Sequence, residues 1–291
     1  MVKVLLGILS IMTIWYLVIF IKDFNEFRKD GGLEEGNNIA HAGIGFGVNF
    51  FDTLGIGGFA PMTALFKQFN LVHDRILPGT LNTACTIPVI VEAFIFIKKV
   101  EVEPVTLIAM LVSATLGAIL GAGVVAKLDE KKVQLYMGTA LIIVVCIMLA
   151  QQFGLIKGGG EAVGLSGYKL VIAVIGNFVL GALMTLGIGL YAPCMALVYA
   201  LGLSPLVAFP VMMGSCAYLM PAASVKFIKS GAYNRKATIM SATFGSIGVI
   251  VAAYLVTGLP IAVLTKIVIG VVLYTAVKLI LDSKKKVLAE A

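Results

Sequence analysis

Charge is scarce in this chain. Only 13% of its 291 residues are Asp, Glu, Lys or Arg, and residues 170–225 contain none of them. So little polar surface cannot coat a soluble globule, and a 60% hydrophobic content with mean hydropathy +1.04 places the chain in a lipid bilayer. One span needs about 20 apolar residues, so the charge-free stretch must cross or enter the membrane more than once. The cysteines Cys85, Cys146, Cys194 and Cys216 lack C-x-x-C spacing and sit in apolar runs. That excludes a disulfide framework or a zinc site and leaves them as small buried residues. No H-E-x-x-H, G-x-S-x-G or Walker A motif is present, and tryptophan occurs once. Nothing therefore supports an enzyme, a cofactor or a metal. The net charge of +7 comes from short connecting segments and from Lys284 to Lys286. Without a basic face on a soluble domain there is no case for nucleic acid, and the cations read as positive-inside topology signals.

What the chain does have is a repeat. Thr53-Leu-Gly-Ile-Gly-Gly-Phe-Ala-Pro61 returns 132 positions later as Thr185-Leu-Gly-Ile-Gly-Leu-Tyr-Ala-Pro193. The same offset relates Leu65 to Leu197, Pro78 to Pro210, Thr106 to Thr238 and Gly138 to Gly270. Duplicated apolar segments interrupted by Gly and Pro at matching places point to a transporter with its site between the halves.

The expected architecture is all-α and polytopic: two inverted four-segment repeats with broken or re-entrant helices, plus one extra N-terminal transmembrane helix. Val4 to Ile21 is apolar and lacks a small-residue cleavage site, so it reads as an uncleaved first helix. With a charged linker it fills residues 1–36. The first repeat occupies 37–156 with segments A (Asn37 to Phe66), B (Ile76 to Ile97), C (Pro104 to Ala126) and D (Val133 to Ile156). A glycine-rich linker, 157–169, precedes the second repeat at 170–282. Its segments are A′ (Leu170 to Ala200), B′ (Ser204 to Val225), C′ (Ala237 to Val256) and D′ (Leu259 to Leu281), and a basic cytoplasmic tail follows at 283–291. Loop charges argue for inversion. The A/B loop has Lys67 and Arg75 and the C/D loop has Lys127, Lys131 and Lys132, while their counterparts have no cation; the balanced B/C loop faces a purely basic Lys226, Lys229, Arg235 and Lys236. Lys and Arg mark the cytoplasmic side. Equivalent loops therefore lie on opposite faces of a cell membrane, with the C-terminus cytoplasmic.

Segments A and A′ are too rich in glycine for unbroken helices, since each interior Gly costs about 0.8–1 kcal/mol relative to Ala. A break is expected at Gly55 to Gly58 and at Gly187 to Gly189, with a second short helix starting near Pro61 and Pro193. The exposed helix end, with its unpaired N–H groups, suits an anion. The substrate-binding candidates are Thr53, Gly55, Gly57 and Gly58 in one copy and Thr185, Gly187 and Gly189 in the other; the alternative is that these glycines only pack helices, as Gly117 and Gly121 do on segment C. Thr80, Asn82 and Thr83, with Ser215 and Cys216, begin B and B′ as uncharged polar clusters. They fit either oxyanion binding or bonds between helices. Asp52 and Glu92 are the acids well inside membrane segments and the candidates for coupling an ion, against the alternative of protonated or paired structural acids. Asp52 adjoins the motif, its counterpart is Met184, and Glu92 reads as nearer an interface. His41, at the start of A, reads as interfacial. Gly55-Ile-Gly57-Gly-Phe-Ala60 mimics a dinucleotide fingerprint but lacks the preceding strand of a soluble βαβ unit.

The paired glycine motifs before proline, with Gly79-Thr80 and Gly214-Ser215 after each copy, resemble the TauE/SafE sulfite exporter family, also called toluene sulfonate uptake permeases, over about residues 38–282. The chain departs from that family's three glycines followed by a later proline, with Phe59, an early Pro61, and Leu190-Tyr191 in the second copy. The resemblance implies transport of sulfite, sulfonate or sulfoacetate-type anions, coupled to an ion gradient of protons or sodium. The expectation is thus a secondary transporter working by alternating access, with a small anion, a coupling ion and the lipid bilayer as partners. A non-transporting membrane scaffold or sensor, or an intramembrane enzyme, are the other classes.

Overall fold

The computed structural model describes residues 2–34, 36–125, 130–153, 160–184 and 190–284. These form helices joined by turns, with one isolated bridge pairing Ala162 and Leu203. In chain order the helices are α1 (Val2–Gly31), α2 (Asn38–Thr53), α3 (Phe59–Gln68), α4 (Leu77–Lys99), α5 (Pro104–Val125), α6 (Glu130–Gln152), α7 (Gly167–Met184), α8 (Tyr191–Ala200), α9 (Ala208–Lys229), α10 (Arg235–Thr257) and α11 (Ile261–Lys284). Among the described residues α1, α4, α7, α9 and α10 are long and apolar enough to cross a membrane, and α5 and α6 carry shorter apolar stretches.

The 132-residue offset is visible in the elements themselves. Helix α3 starts and ends 132 positions before α8, and the break in A falls where its glycines predict, while the break expected in A′ at Gly187 to Gly189 lies outside the described residues. Pro61 and Pro193 sit in the first turns of α3 and α8, where a missing N–H breaks no helix bond.

Compactness divides the chain differently from the repeat. One compact unit comprises Met1–Pro104 and Met213–Gly258, and the other Val105–Met212 and Leu259–Ala291. In the first, α10 lies against α2 and α4. The contact uses small residues: a Cβ at Gly45 would stop 2.5 Å from the Ser241 Cα, and one at Gly248 would land on the Phe46 carbonyl oxygen. In the second unit a Cβ at Gly117 would land on the Phe178 carbonyl oxygen, one at Gly181 on that of Ala114, and Asn177 Nδ2 donates to the Met110 carbonyl at 2.7 Å. Helices α2 and α7 share one offset, as do α10 and α5, so the same kind of glycine-mediated contact is made twice. Backbones that close gain dispersion contacts that leucine-lined helices in lipid do not. Gly117 thereby has the packing role expected of it.

The first helix runs ten residues beyond Ile21, through most of the stretch expected to be a linker. Its extension is held by charge. Arg235 donates to both carboxylate oxygens of Asp23 (Nε to Oδ2, 2.9 Å; Nη2 to Oδ1, 3.2 Å), Tyr233 donates its hydroxyl to Asp23, and Glu34 accepts the backbone N–H groups of Arg235 and Lys236 at 2.9 and 3.1 Å. The guanidinium also lies over the Phe27 ring, 4.0 Å from its centre. Glu34 and Asn234 together satisfy the first turn of α10, where a carboxylate favours the positive helix end. Deeper in the bilayer segment, the hydroxyls of Tyr16 and Tyr218 donate to the carbonyls of Thr83 and Leu5, joining α1 to α4 and α9. The opposite face of α1, including Val4, Ile8, Ile11, Trp15 and Val18, stays exposed, as a lipid-facing stripe should.

Candidate functional site

The site is built around the gap between α2 and α3. Helix α2 ends at Thr53, Leu54 closes it, and the chain turns through Gly55 (φ 95°) and Gly57 (φ 87°) before α3 begins at Phe59. Both angles lie in the left-handed region that glycine enters without a Cβ clash. The turn is fastened by Gly55 N–H donating to the Asp52 carbonyl at 2.7 Å. No described atom lies within 4 Å of the place a Cβ on Gly57 would take. Gly58 is different: its φ is −81°, and a Cβ there would meet Asp52 Oδ2 at 3.2 Å. The Gly58 N–H donates to the Asp52 carboxyl, which so serves the entry to α3.

Polar side chains gather on the α2 side of this gap. Asn49, Asp52 and Thr53 are all buried, and so is Glu92 of α4. The Thr53 Oγ1 lies 2.8 Å from the Asn49 carbonyl oxygen and 2.8 Å from Glu92 Oε1. Asn49 Nδ2 donates to the Gly45 carbonyl at 2.7 Å, and its Oδ1 has no hydrogen-bond partner among the described residues. Cys85 of α4 is within electrostatic reach of both carboxyls and contacts the Met62 sulfur of α3 at 3.9 Å. Glu92, expected nearer an interface, in fact touches the last residue of α2. Helix α4 begins only at Leu77 and α2 stops short at its break, so the middle of one helix meets the end of the other.

Most of the uncharged cluster residues on α4 bond to other helices or caps. Thr80 Oγ1 donates to the Ile76 carbonyl and accepts the Asn234 N–H, while Thr83 Oγ1 meets Thr238 Oγ1 at 2.8 Å. Thr86, in the same way, meets Ser224 at 2.8 Å. These are bonds between helices. Asn82 is partly buried and donates locally to the Pro78 carbonyl, and Ser215 and Cys216 are buried within α9. Thr53, Gly55, Gly57 and Gly58 thus share the gap with Asp52 and Glu92. Thr185, Gly187 and Gly189 lie outside the described residues, as do Lys127, residues 157–159 and the tail 285–291. His41 lies in the first turn of α2. It is fully buried beneath the edge of Phe66, ring centres 5.8 Å apart, and the backbone at Gly36 closes over its Nε2.

No curated protein and no solved structure gives a match to the chain. The family model described as sulfite exporter TauE/SafE matches residues 1–149, which take in α1 to α5, most of α6 and the whole gap between α2 and α3. Five membrane-length apolar helices, a broken helix lined by buried acids and a family match over half of the chain lead to one assignment: the chain belongs to the TauE/SafE sulfite exporter family.

Proposed function

We propose that the protein is a secondary transporter of a small anion, first of all a sulfur oxyanion of the sulfite, sulfonate or sulfoacetate type, moved by alternating access between inverted repeats. The observation that carries this reading is the α2–α3 gap: a glycine-lined break in a bilayer segment, with bare backbone at Gly57 and a cluster of buried polar groups beside it. Irregular backbone is tolerated at membrane depth where it is buried in protein or lines a cavity. The start of α3 offers the positive end of a helix to an anion, and Asp52 occupies part of that field through Gly58. An arriving anion therefore has to compete with, or displace, this carboxyl. The Thr80 and Thr83 hydroxyls join α4 to α10 and its entry, so the substrate contacts in this copy centre on Thr53 and Gly55 to Gly58. The family assignment supports the substrate class, and the loop cations support inversion.

Flux into proteoliposomes of labelled sulfite, sulfonates and carboxylates tests the reading. Saturable uptake of a sulfur oxyanion, absent from empty liposomes, is the expected result. Preference for a carboxylate would overturn the substrate class, and no saturable flux of any anion would favour a scaffold or sensor.

A further inference from the structure

The Thr53 hydroxyl has one hydrogen and two acceptors at equal distance, the Asn49 carbonyl oxygen and Glu92 Oε1, each 2.8 Å away. It cannot make both full bonds as a donor. Both bonds are made when Glu92 carries a proton: the carboxyl O–H then donates to Thr53 Oγ1, and the Thr53 hydrogen turns to Asn49. When Glu92 is ionised, the Thr53 hydrogen is drawn to the carboxylate, because a hydrogen bond to a charged acceptor is the stronger. The Asn49 carbonyl then loses that bond. From this we propose that Glu92 is a proton-binding residue at the helix break, and that its proton occupancy selects the partner of Thr53 and so sets the order of the last turn of α2.

Position gives the switch its consequence. Thr53 is the final residue of α2, and the left-handed Gly55 follows two residues later. A proton taken from water adds to the Glu92 carboxylate and the Thr53 hydrogen moves to its own helix; on release the two shifts reverse. Asp52 on α2 and Cys85 on α4 are titratable groups near Glu92. Helix α10 has no titratable residue between Lys236 and Tyr254, α3 has only Lys67 near its far end, and Tyr16 of α1 donates to the Thr83 carbonyl and lies within electrostatic reach of Cys85. The proton on Glu92 thus reports to the gap through Thr53, which acts as a positioning residue. The inference deepens the transport reading and rests on it for its meaning as coupling.

Two measurements test it. Infrared titration of the purified protein in lipid should show a carboxyl band that is absent in Glu92→Gln and kept in Asp52→Asn. In Thr53→Val the band should shift, and Thr53→Ser should return it. In proteoliposomes loaded with sulfite or methanesulfonate, Glu92→Gln should lose proton-gradient-driven accumulation while retaining counterflow exchange. A titrating band unaffected by Glu92→Gln, or gradient-driven flux retained by it, would overturn the proposal. So would a band identical in Thr53→Val and wild type, a comparison that holds even if Glu92→Gln fails to fold. If wild type carried neither anion while the band still followed Glu92 and Thr53, the transport reading would fall and the proton site would stand.

Discussion

The two copies of the glycine motif share their sequence but not the residues around it. At the offset of 132, His41, Asn49, Asp52 and Glu92 of the first copy become Ala173, Gly181, Met184 and Ser224, and Gly58 becomes Leu190. One break is lined with groups that hold charge or hydrogen bonds. The matching positions of the other copy carry no acid, and a buried leucine stands at the Gly58 position. Duplication thus kept the glycine motif and let the titratable side chains concentrate in one copy. Outside the breaks the same divergence appears with sign reversed: Arg235, which clasps Asp23, corresponds to Glu103.

The largest effect expected is all-or-none. Single cysteines replacing Lys131 and Gly258, related loops of the two copies, should be labelled from opposite faces of the membrane, with positions 67 and 229 on the same side as 131, and 201–203 on the side of 258. Labelling of 131 and 258 from one face would end the inverted model.

Next comes the break itself. Gly57→Leu should abolish flux, but its left-handed backbone adds strain of about 1–2 kcal/mol, so loss of folded protein would confuse the outcome. Gly58 has ordinary backbone angles, and Gly58→Ala should cut flux with little change in melting temperature by crowding Asp52. Gly58→Leu with Asp52→Met makes the first break read like the second. That pair should melt higher than Gly58→Leu alone and still fail to transport. Equal melting of the two would mean that the surroundings of the breaks are not what separates them.

Packing should be alike in the two copies. Gly45→Ala and Gly181→Ala each drive a methyl into backbone of a neighbouring helix, and should each cost about 1–3 kcal/mol in thermal unfolding. Gly43, with no described atom within 4 Å of its Cβ position, is the control, where alanine should gain up to about 1 kcal/mol.

The smallest effect concerns the clasp. Burial, then the hydrogen bond and charge of Asp23, raise the Tyr233 phenol above its ordinary value. The folded chain therefore holds that proton more tightly than the unfolded chain. Its contribution is fully present below about pH 10 and declines as pH rises beyond it. Tyr233→Phe should flatten this alkaline decline and lower stability at neutral pH by about 1–2 kcal/mol, read from melts across pH.

Local chemistry was legible in the sequence and distant chemistry was not. The break in A followed from Gly55, Gly57 and Pro61, whose backbone limits act within a few residues, and the structure places it between Thr53 and Phe59. Segments B, C, D and their counterparts are found within a few residues of their expected bounds because charge delimits apolar runs. Glu92 was visible as a buried acid, but its depth relative to the break depended on where two helices of unequal length cross. The helical extension of α1 escaped because its stabilising partner, Arg235, is 212 positions away from Asp23. The Thr80 and Thr83 hydroxyls could be read equally as ligands or as interhelical bonds, and only the position of α10 separates the two.

That separation along the chain has a consequence for synthesis. The first compact unit contains residues from Met1 and is completed only by α10, so α1 to α4 must wait in the bilayer while α5 to α8 are made. During that interval Asp23 and Glu34 lack Arg235, and the glycine face of α2 at Gly45 lacks Ser241. The α2–α4 pair, joined by Thr53 and Glu92, can form before α10 is made. Chains interrupted before α10 would leave the unsealed pair facing lipid, a natural target for membrane quality control.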